Sequence, residues 1–86
     1  MEKIEEGIKR FILRKLVRHR MWGGKHTSIH NIPKGLPDCL RSKKEVKKVI
    51  EEMLKQGLLL SKPTNYGLEV FLNIQKKIEI ERFVEE

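Results

Sequence analysis

The residues of this sequence best suited to chemistry form a run of cations that begins at Arg41. The run reads RSKKEVKK and also contains the lysines Lys43, Lys44, Lys47 and Lys48. Guanidinium and ammonium groups bind anions, and a nucleic-acid backbone presents anionic phosphates at close, regular spacing. The chemistry that these residues can do is therefore electrostatic binding of a polyanion.

The charge of the whole chain agrees with that interpretation. Lys and Arg number 19 against 12 Asp and Glu, which gives a net charge of +7. Residues 1–44 hold 12 basic and 4 acidic residues, a net +8, whereas residues 45–86 hold 7 and 8, a net −1. A basic half on a small domain favours a polyanionic partner. The alternative is that the charges only keep the protein soluble.

The cation run opens a predicted helix over residues 43–56. Ser42 and Glu45 have the spacing of a capping box, and Gly57 has the residue type that ends helices. One face is apolar, with Val46, Val49, Ile50, Met53 and Leu54. The opposite face carries Lys44, Lys48, Glu51 and Lys55. The alternative to anion binding is a solvated face held by the ion pairs Lys47–Glu51, Lys48–Glu52 and Glu51–Lys55.

A β-hairpin is predicted over residues 58–72. Three leucines begin the first strand, and alternating apolar residues after Gly67 predict a return strand. Residues 62–67 have the composition of a turn. The tip offers Lys62, Thr64, Asn65 and Tyr66, whose side chains could contact phosphate or sugar. The alternative is that Tyr66 packs under the hairpin and the others only turn the chain.

Two further helices and a short strand complete the predicted elements. An apolar stripe predicts a helix over residues 2–20 that Gly23 and Gly24 end. A short strand over residues 26–29 follows, and then a short, irregular helix from Ile32 to Cys39 that is interrupted near Gly35-Leu36-Pro37, with Asn31 as its N-cap. Asn73 caps a last helix, over residues 74–86, for which a strand is the alternative because Ile78, Glu79, Ile80 and Glu81 alternate. Its apolar residues wrap around more than one face and predict contact with a second subunit: Ile74, Ile78, Ile80, Phe83 and Val84.

Other candidate sites carry weaker signals. A second basic cluster consists of Arg14, Arg18, Arg20 and Lys25. It either extends the surface that binds an anionic partner or is a solvated helix end. The residues His19, His26, His30 and Cys39 lack a shared helical face, so no metal site is predicted. Trp22, beside Gly23 and Gly24, is interpreted as a core plug or a cover for the helix end rather than as a platform on which bases stack.

Enzymatic function is not predicted. The sequence has no phosphate-binding glycine loop, no dinucleotide-binding motif and no nucleophile motif around Cys39. We therefore predict no cofactor and no small-molecule substrate. A single cysteine permits no intrachain disulfide, and no apolar run approaches the roughly 20 residues that cross a bilayer. These features predict a cytoplasmic protein of one domain, residues 1–86, with 1–73 as its core and 74–86 as its last helix.

The predicted order resembles the winged helix-turn-helix superfamily. The segment QGLLLSKPTNYGLEVFLN is similar to its wing, and together with WGGKHTSIHNIPKGLP it resembles a group of small archaeal winged-helix proteins. The resemblance implies an α+β fold, with a three-helix core, a β-hairpin wing and an added C-terminal helix. It also implies a recognition helix at residues 43–56 that enters the major groove and a wing at 58–72 on the backbone.

We therefore expect a nucleic-acid-binding protein, with double-stranded DNA as the partner, acting as a transcriptional regulator or chromatin-associated factor. The expected binding residues are Arg41, Lys43, Lys44, Lys47, Lys48, Lys62, Thr64, Asn65 and Tyr66. A homodimer through the terminal helices is expected to present two recognition helices. The alternative is a module of the same fold that binds RNA, the ribosome or another protein. The sequence does not specify the target, the effector or the direction of regulation.

Overall fold

The computed structural model describes residues 2–37, 43–65 and 67–85. Its elements are the helices α1 (Glu2–Arg18), α2 (Lys43–Gln56) and α3 (Lys77–Glu85), and the strands β1 (Thr27–Ser28), β2 (Leu59–Thr64) and β3 (Gly67–Leu72). Short 3-10 turns occupy Ile29–Asn31, Pro33–Gly35 and Ile74–Lys76. The α+β class predicted from the sequence is confirmed.

Helix α1 ends earlier than predicted, and the glycines do not end it. Its last helical residue is Arg18, and Arg20 adopts the left-handed conformation with φ 55°. The amide of Arg20 donates to the carbonyl of Val17, and that of Met21 donates to the carbonyl of Leu16, both at 3.0 Å. This pair of bonds is a Schellman motif, which usually places glycine where Arg20 stands. The predicted role of Gly23 and Gly24 as the helix end is therefore wrong.

The segment after α1 contains the predicted short strand, and the predicted irregular second helix is a 3-10 turn that is interrupted at Leu36, as expected. Strand β1 pairs with β3, Thr27 opposite Val70. The chain then makes a 3-10 turn at Pro33–Gly35, with Ile32 rather than Asn31 at its N-cap, and Leu36 is extended at φ −85°, ψ 147°. Because a residue before proline avoids the helical region, Pro37 forces Leu36 out of a helix. The remaining predicted helical residues, including Cys39, lie outside the described residues.

Helix α2 matches its prediction, and Gly57 ends it. The buried face of α2 packs into the core, with Val46, Val49, Ile50 and Met53 each at most 3% exposed. Gly57 takes φ +78°, and the amide of Leu58 donates to the carbonyl of Met53 at 3.0 Å. This second Schellman motif turns the chain directly into β2. The predicted cap residue Ser42 lies outside the described residues.

The three strands form an antiparallel sheet in the order β1-β3-β2. The hairpin pairs Leu59 with Leu72 at its base and Thr64 with Gly67 at its end. The predicted hairpin is confirmed, but the turn is shorter than predicted, because Lys62 and Thr64 belong to β2. Proline has no amide N–H to donate. Pro63 is tolerated in β2 because β2 is an edge strand, in which one side of the backbone has no neighbouring strand to pair with.

The last helix completes the core. Asn73 Oδ1 accepts a hydrogen bond from the amide of Gln75 at 3.0 Å, so the predicted cap is confirmed, although the helix opens with a 3-10 turn before α3. Ile80 of α3 is fully buried and belongs to the same core cluster as residues of α1 and the sheet, so its predicted contact with a second subunit is wrong. Among the described residues, no helix is long and apolar enough to cross a bilayer.

Candidate nucleic-acid interface

The outward face of α2 carries three exposed lysines in its first half. Lys44, Lys47 and Lys48, here called the lysine ridge, are exposed, whereas the opposite face of the helix is buried. The burial of that face fixes the rotation of α2 and so fixes the direction in which the ridge points. The ridge therefore presents cations on a rigid element.

One member of the ridge has a partner that the sequence did not predict. The Nζ atom of Lys48 lies 3.1 Å from Oε1 of Glu5, in the first half of α1. The Lys48 side chain remains 60% exposed. The alternative from the sequence paired Lys48 with Glu52 on the same helix. Because Glu5 and Lys48 are 43 positions apart, only the packing of α1 against α2 brings them together.

This contact changes the protonation equilibrium of the lysine. The hydrogen bond to the Glu5 carboxylate, together with its negative charge, raises the pKa of Lys48 above its ordinary value of 10.5. Glu52 and Glu45 add smaller effects of the same sign. The cationic form of Lys48 therefore persists to higher pH than that of a free lysine, and a carboxylate already stands at its side.

Carboxylates line one flank of the ridge. A shallow cavity of about 270 Å³ between α1 and α2 is bordered by Glu5, Lys44, Glu45 and Lys48. Further along α2, Glu51 and Lys55 are exposed on the same outer face as Lys44 and Lys48. A phosphate approaching this helix meets cations in the first two turns and a carboxylate in the third. The exposed positive charge of α2 is therefore concentrated in its N-terminal half.

The hairpin contributes less positive charge than its sequence indicated. Lys62 is exposed, but it stands opposite Glu69 on β3, and the Glu69 carboxylate lies against Nδ1 of His26. The hydroxyl of Thr64 donates a hydrogen bond to the carbonyl of Gly67 at 2.8 Å, across the turn of the hairpin. Asn65 is exposed at the tip. Asn65 and Lys62 therefore remain as polar groups that point to solvent near the turn.

Asn73 fastens the base of the hairpin to the end of α2. Its side-chain amide donates to the carbonyl of Gly57 at 2.8 Å, and its backbone amide donates to the carbonyl of Leu58 at 3.1 Å. The relative position of α2 and the hairpin is thus set by hydrogen bonds as well as by the core. A ligand that touches both would meet a preformed surface.

Three predicted site residues cannot be placed on this surface. Arg41 and Tyr66 lie outside the described residues, as does the side chain of Lys43, although its backbone begins α2. The structure therefore brings together Lys44, Lys47 and Lys48 on one helix.

The second basic cluster divides into residues with different surroundings. Arg14 donates from a terminal guanidinium nitrogen to the carbonyl of Val84 at 3.2 Å, so it supports the end of α3. Arg18, Arg20 and Lys25 are exposed. Trp22 is half-buried against the core, as the sequence indicated. Among the described residues, no three His, Cys, Asp or Glu side chains converge to hold a metal ion.

Comparison with family models, with curated proteins and with solved structures finds no match to this chain.

Proposed function

We propose that this protein is a winged helix-turn-helix that binds duplex DNA, with α2 in the major groove and the β2–β3 hairpin against the backbone. Two features of the fold support the proposal. The order of helix, short strand, helix and hairpin agrees with that superfamily except at its second helix, where the described residues form only 3-10 turns, and the first strand joins the hairpin in the order β1-β3-β2. Fold alone does not determine function, so the proposal depends on the surface.

The observation that carries the proposal is the lysine ridge on a helix whose other face is buried. Lys44 and Lys48 are one turn apart, and Lys47 lies beside them, so three ammonium groups point outward within about 6 Å of helix length. An α-helix fits the major groove of B-form DNA, where flanking phosphates are within reach of lysines. Counterion release on phosphate binding then supplies affinity that depends strongly on salt.

The side chains of α2 also indicate weak sequence preference. The exposed residues over its outer face are Lys and Glu, whereas bases are most often read by Arg, Asn and Gln. Gln56, at the C-terminal end, accepts a hydrogen bond from Lys9 at 3.4 Å. We therefore expect contacts to the phosphates to dominate and discrimination between sequences to be small.

Duplex RNA is the less favoured ligand. The major groove of A-form RNA is too narrow to admit a helix such as α2, so binding would have to use the hairpin or a single strand. The proposal thus predicts that a DNA duplex competes better than an RNA duplex of the same sequence. Equal competition by the two would favour the RNA-binding alternative.

The test compares two lysines of the same helix face. Lys44→Ala should weaken binding to a random DNA duplex and reduce the slope of log K against log salt by about 0.9, the value of one lost phosphate contact. Lys55→Ala removes the same charge three turns further along α2, beyond Glu51, and should leave the slope unchanged. Fluorescence anisotropy at four or more salt concentrations measures both.

Two outcomes would count against this docking. Equal effects of the two substitutions would indicate that only net charge matters and that α2 does not enter a groove. A Lys44→Ala variant whose binding curves overlay those of the wild type at each salt concentration would remove the lysine ridge from the interface altogether.

A further inference from the structure

A cleft lies between the second half of α1 and the chain segment at residues 27–35. It has two parts, and three α1 side chains at intervals of four positions line both of them: Phe11, Lys15 and His19. The smaller part, of about 80 Å³, is mostly apolar and has Ile12 and Ile32 among its lining residues. The wider part, of about 230 Å³, extends to the 3-10 turn. Because they share three residues, the two parts adjoin.

The wider part of the cleft is cationic. Arg14 and Arg18 border it together with Lys15, and the described residues that line the cleft include no Asp or Glu. Arg14 and Arg18 stand at the i, i+4 spacing at which like charges destabilise a helix. Neither Lys15 nor Arg18 forms an ion pair with another residue that the structure describes. The cleft therefore gathers positive charge that the described part of the chain does not neutralise.

The position of the Lys15 ammonium group is set by packing against Gly35. Lys15 is half-buried, and a methyl group on Gly35 would collide with its ammonium group and touch the end of its aliphatic chain. The dipole of α1 favours cations near the C-terminal end of the helix. That effect does not require the ammonium group to lie against the turn. The contact with Gly35 therefore holds a cation at the wider part of the cleft.

We propose that this cleft binds a small phosphate monoester with a short aliphatic chain. The phosphate lies against Lys15 and Arg18, and the aliphatic chain enters the apolar part beside Ile12 and Ile32. Several cations around one position favour a dianionic head over a carboxylate with a single charge, and arginine binds phosphate through paired N–H donors. The apolar part is smaller than the roughly 150 Å³ cavity that holds benzene, so it favours a short chain over an aromatic ring.

The affinity should be modest because the cleft is small. Sites that enclose a drug-sized ligand typically measure about 300–1,000 Å³, so we expect a Kd on the order of 1 mM. The cleft is lined from α1 and residues 27–35, whereas the lysine ridge stands on α2. This inference goes beyond the proposed function and needs no nucleic acid for its test.

The test compares butyl phosphate with inorganic phosphate, by NMR titration of the intact ¹⁵N-labelled chain at constant ionic strength. Near pH 7.5 both ligands are largely dianionic. Butyl phosphate should bind at least about tenfold more tightly, because each buried methylene group raises affinity roughly fourfold. The largest amide shifts should lie at residues 11–19 and 27–35. Equal affinities of the two ligands, or amides of these segments that do not shift, would overturn the proposal.

Substitution of Lys15 separates the cleft from the net charge of the chain. Lys15→Ala should lower the affinity for butyl phosphate about tenfold or more, because it removes a charged hydrogen-bond donor to the phosphate. Lys25→Ala removes the same charge from an exposed lysine outside the cleft and should leave the affinity unchanged. Circular dichroism of both variants checks that the fold is retained. Equal losses of affinity would show that only net charge matters and would contradict the site.

Gly35→Ala tests the position of the ammonium group. The added methyl group displaces the Lys15 ammonium group without removing its charge, so the affinity for butyl phosphate should fall several-fold. The midpoint of urea denaturation should change little, because only the end of a flexible side chain must move. Gly24→Ala, whose methyl group meets open space, is the matched control and should bind as the wild type does. A Gly35→Ala variant with wild-type affinity would refute the role assigned to Lys15.

Discussion

The contact between Glu5 and Lys48 places a carboxylate directly beside the proposed DNA-binding surface. Nζ of Lys48 lies 3.1 Å from the carboxylate, and both side chains are accessible to solvent. An exposed ion pair contributes little to stability. Its larger effect concerns binding. A phosphate that binds Lys48 must displace the Glu5 carboxylate from the ammonium group, and the phosphate then lies close to a carboxylate that has lost its cation.

Replacing Glu5 should therefore strengthen nucleic-acid binding. Glu5→Gln frees Lys48 and removes the repelling charge, so affinity for a DNA duplex should rise several-fold at low salt. Glu6→Gln is the matched control, since Glu6 pairs with Arg10 at 3.7 Å on the same helix. Anisotropy titrations of both variants measure the difference. Equal gains from the two substitutions would mean that Glu5 acts only through net charge.

The same contact should be visible in a pH titration. Because the pKa of Lys48 is higher in the folded than in the unfolded chain, the contact adds stability below about pH 10.5 and loses it as pH rises through the folded value. The Nζ resonance of Lys48, followed by NMR, should titrate at a higher pH in the wild type than in Glu5→Gln. Identical titration curves would contradict the contact.

For single residues, the sequence predicts which charged side chains are exposed but not which of them contact each other. Lys44, Lys47 and Lys48 were predicted on an outward face, and all three are exposed. The contact of Lys48 with Glu5 depends on how two distant helices pack, so no spacing along the chain reveals it. The same holds for His26 and Glu69, which meet because β1 joins the sheet beside β3.

Among the elements, α2 and the hairpin act as one unit because Asn73 joins them. The single side chain accepts from Gln75 to start the last helix and donates to the carbonyl of Gly57 at the end of α2. Its sequence position indicated only the first role. An isolated hairpin is marginally stable, so this attachment matters for holding the two proposed DNA contacts in register.

Substitutions at Asn73 can separate the two roles. Asn73→Ala loses both and should lower the free energy of unfolding by about 1–3 kcal/mol. Asn73→Ser keeps a good cap but cannot reach Gly57, so its loss should be about half as large. Urea denaturation of the three proteins provides the comparison. A serine variant as unstable as the alanine variant would show that the bond to Gly57 carries the whole effect.

The elements differ in how far local sequence determines them. Residues 43–72 were predicted well because a 3.6-residue period, a glycine stop and a two-residue alternation follow one another without conflict. Residues 32–39 were predicted as an irregular helix because Ile32 and Leu36 have helical spacing, and both residues are indeed buried. The predicted interruption near Gly35-Leu36-Pro37 is present at Leu36, but the spacing did not indicate that the turn before it is 3-10 rather than α-helical.

In the whole molecule, the net charge of +7 is unevenly arranged over the surface. The lysine ridge stands on α2, Arg18 and Arg20 stand at the end of α1, and the two exposed isoleucines stand on the last helix and the turn before it. The lysine ridge and the two isoleucines, Ile74 and Ile78, therefore stand on different elements of the fold.

The most direct measurement is an NMR titration of the ¹⁵N-labelled protein with a short DNA duplex at low salt. We expect the largest amide shifts at residues 44–48 and 62–65, and no effect at residues 77–85 at concentrations where the protein is monomeric. Largest shifts at residues 14–20 or 77–85, with the amides of the lysine ridge unmoved, would contradict the proposed DNA-binding surface.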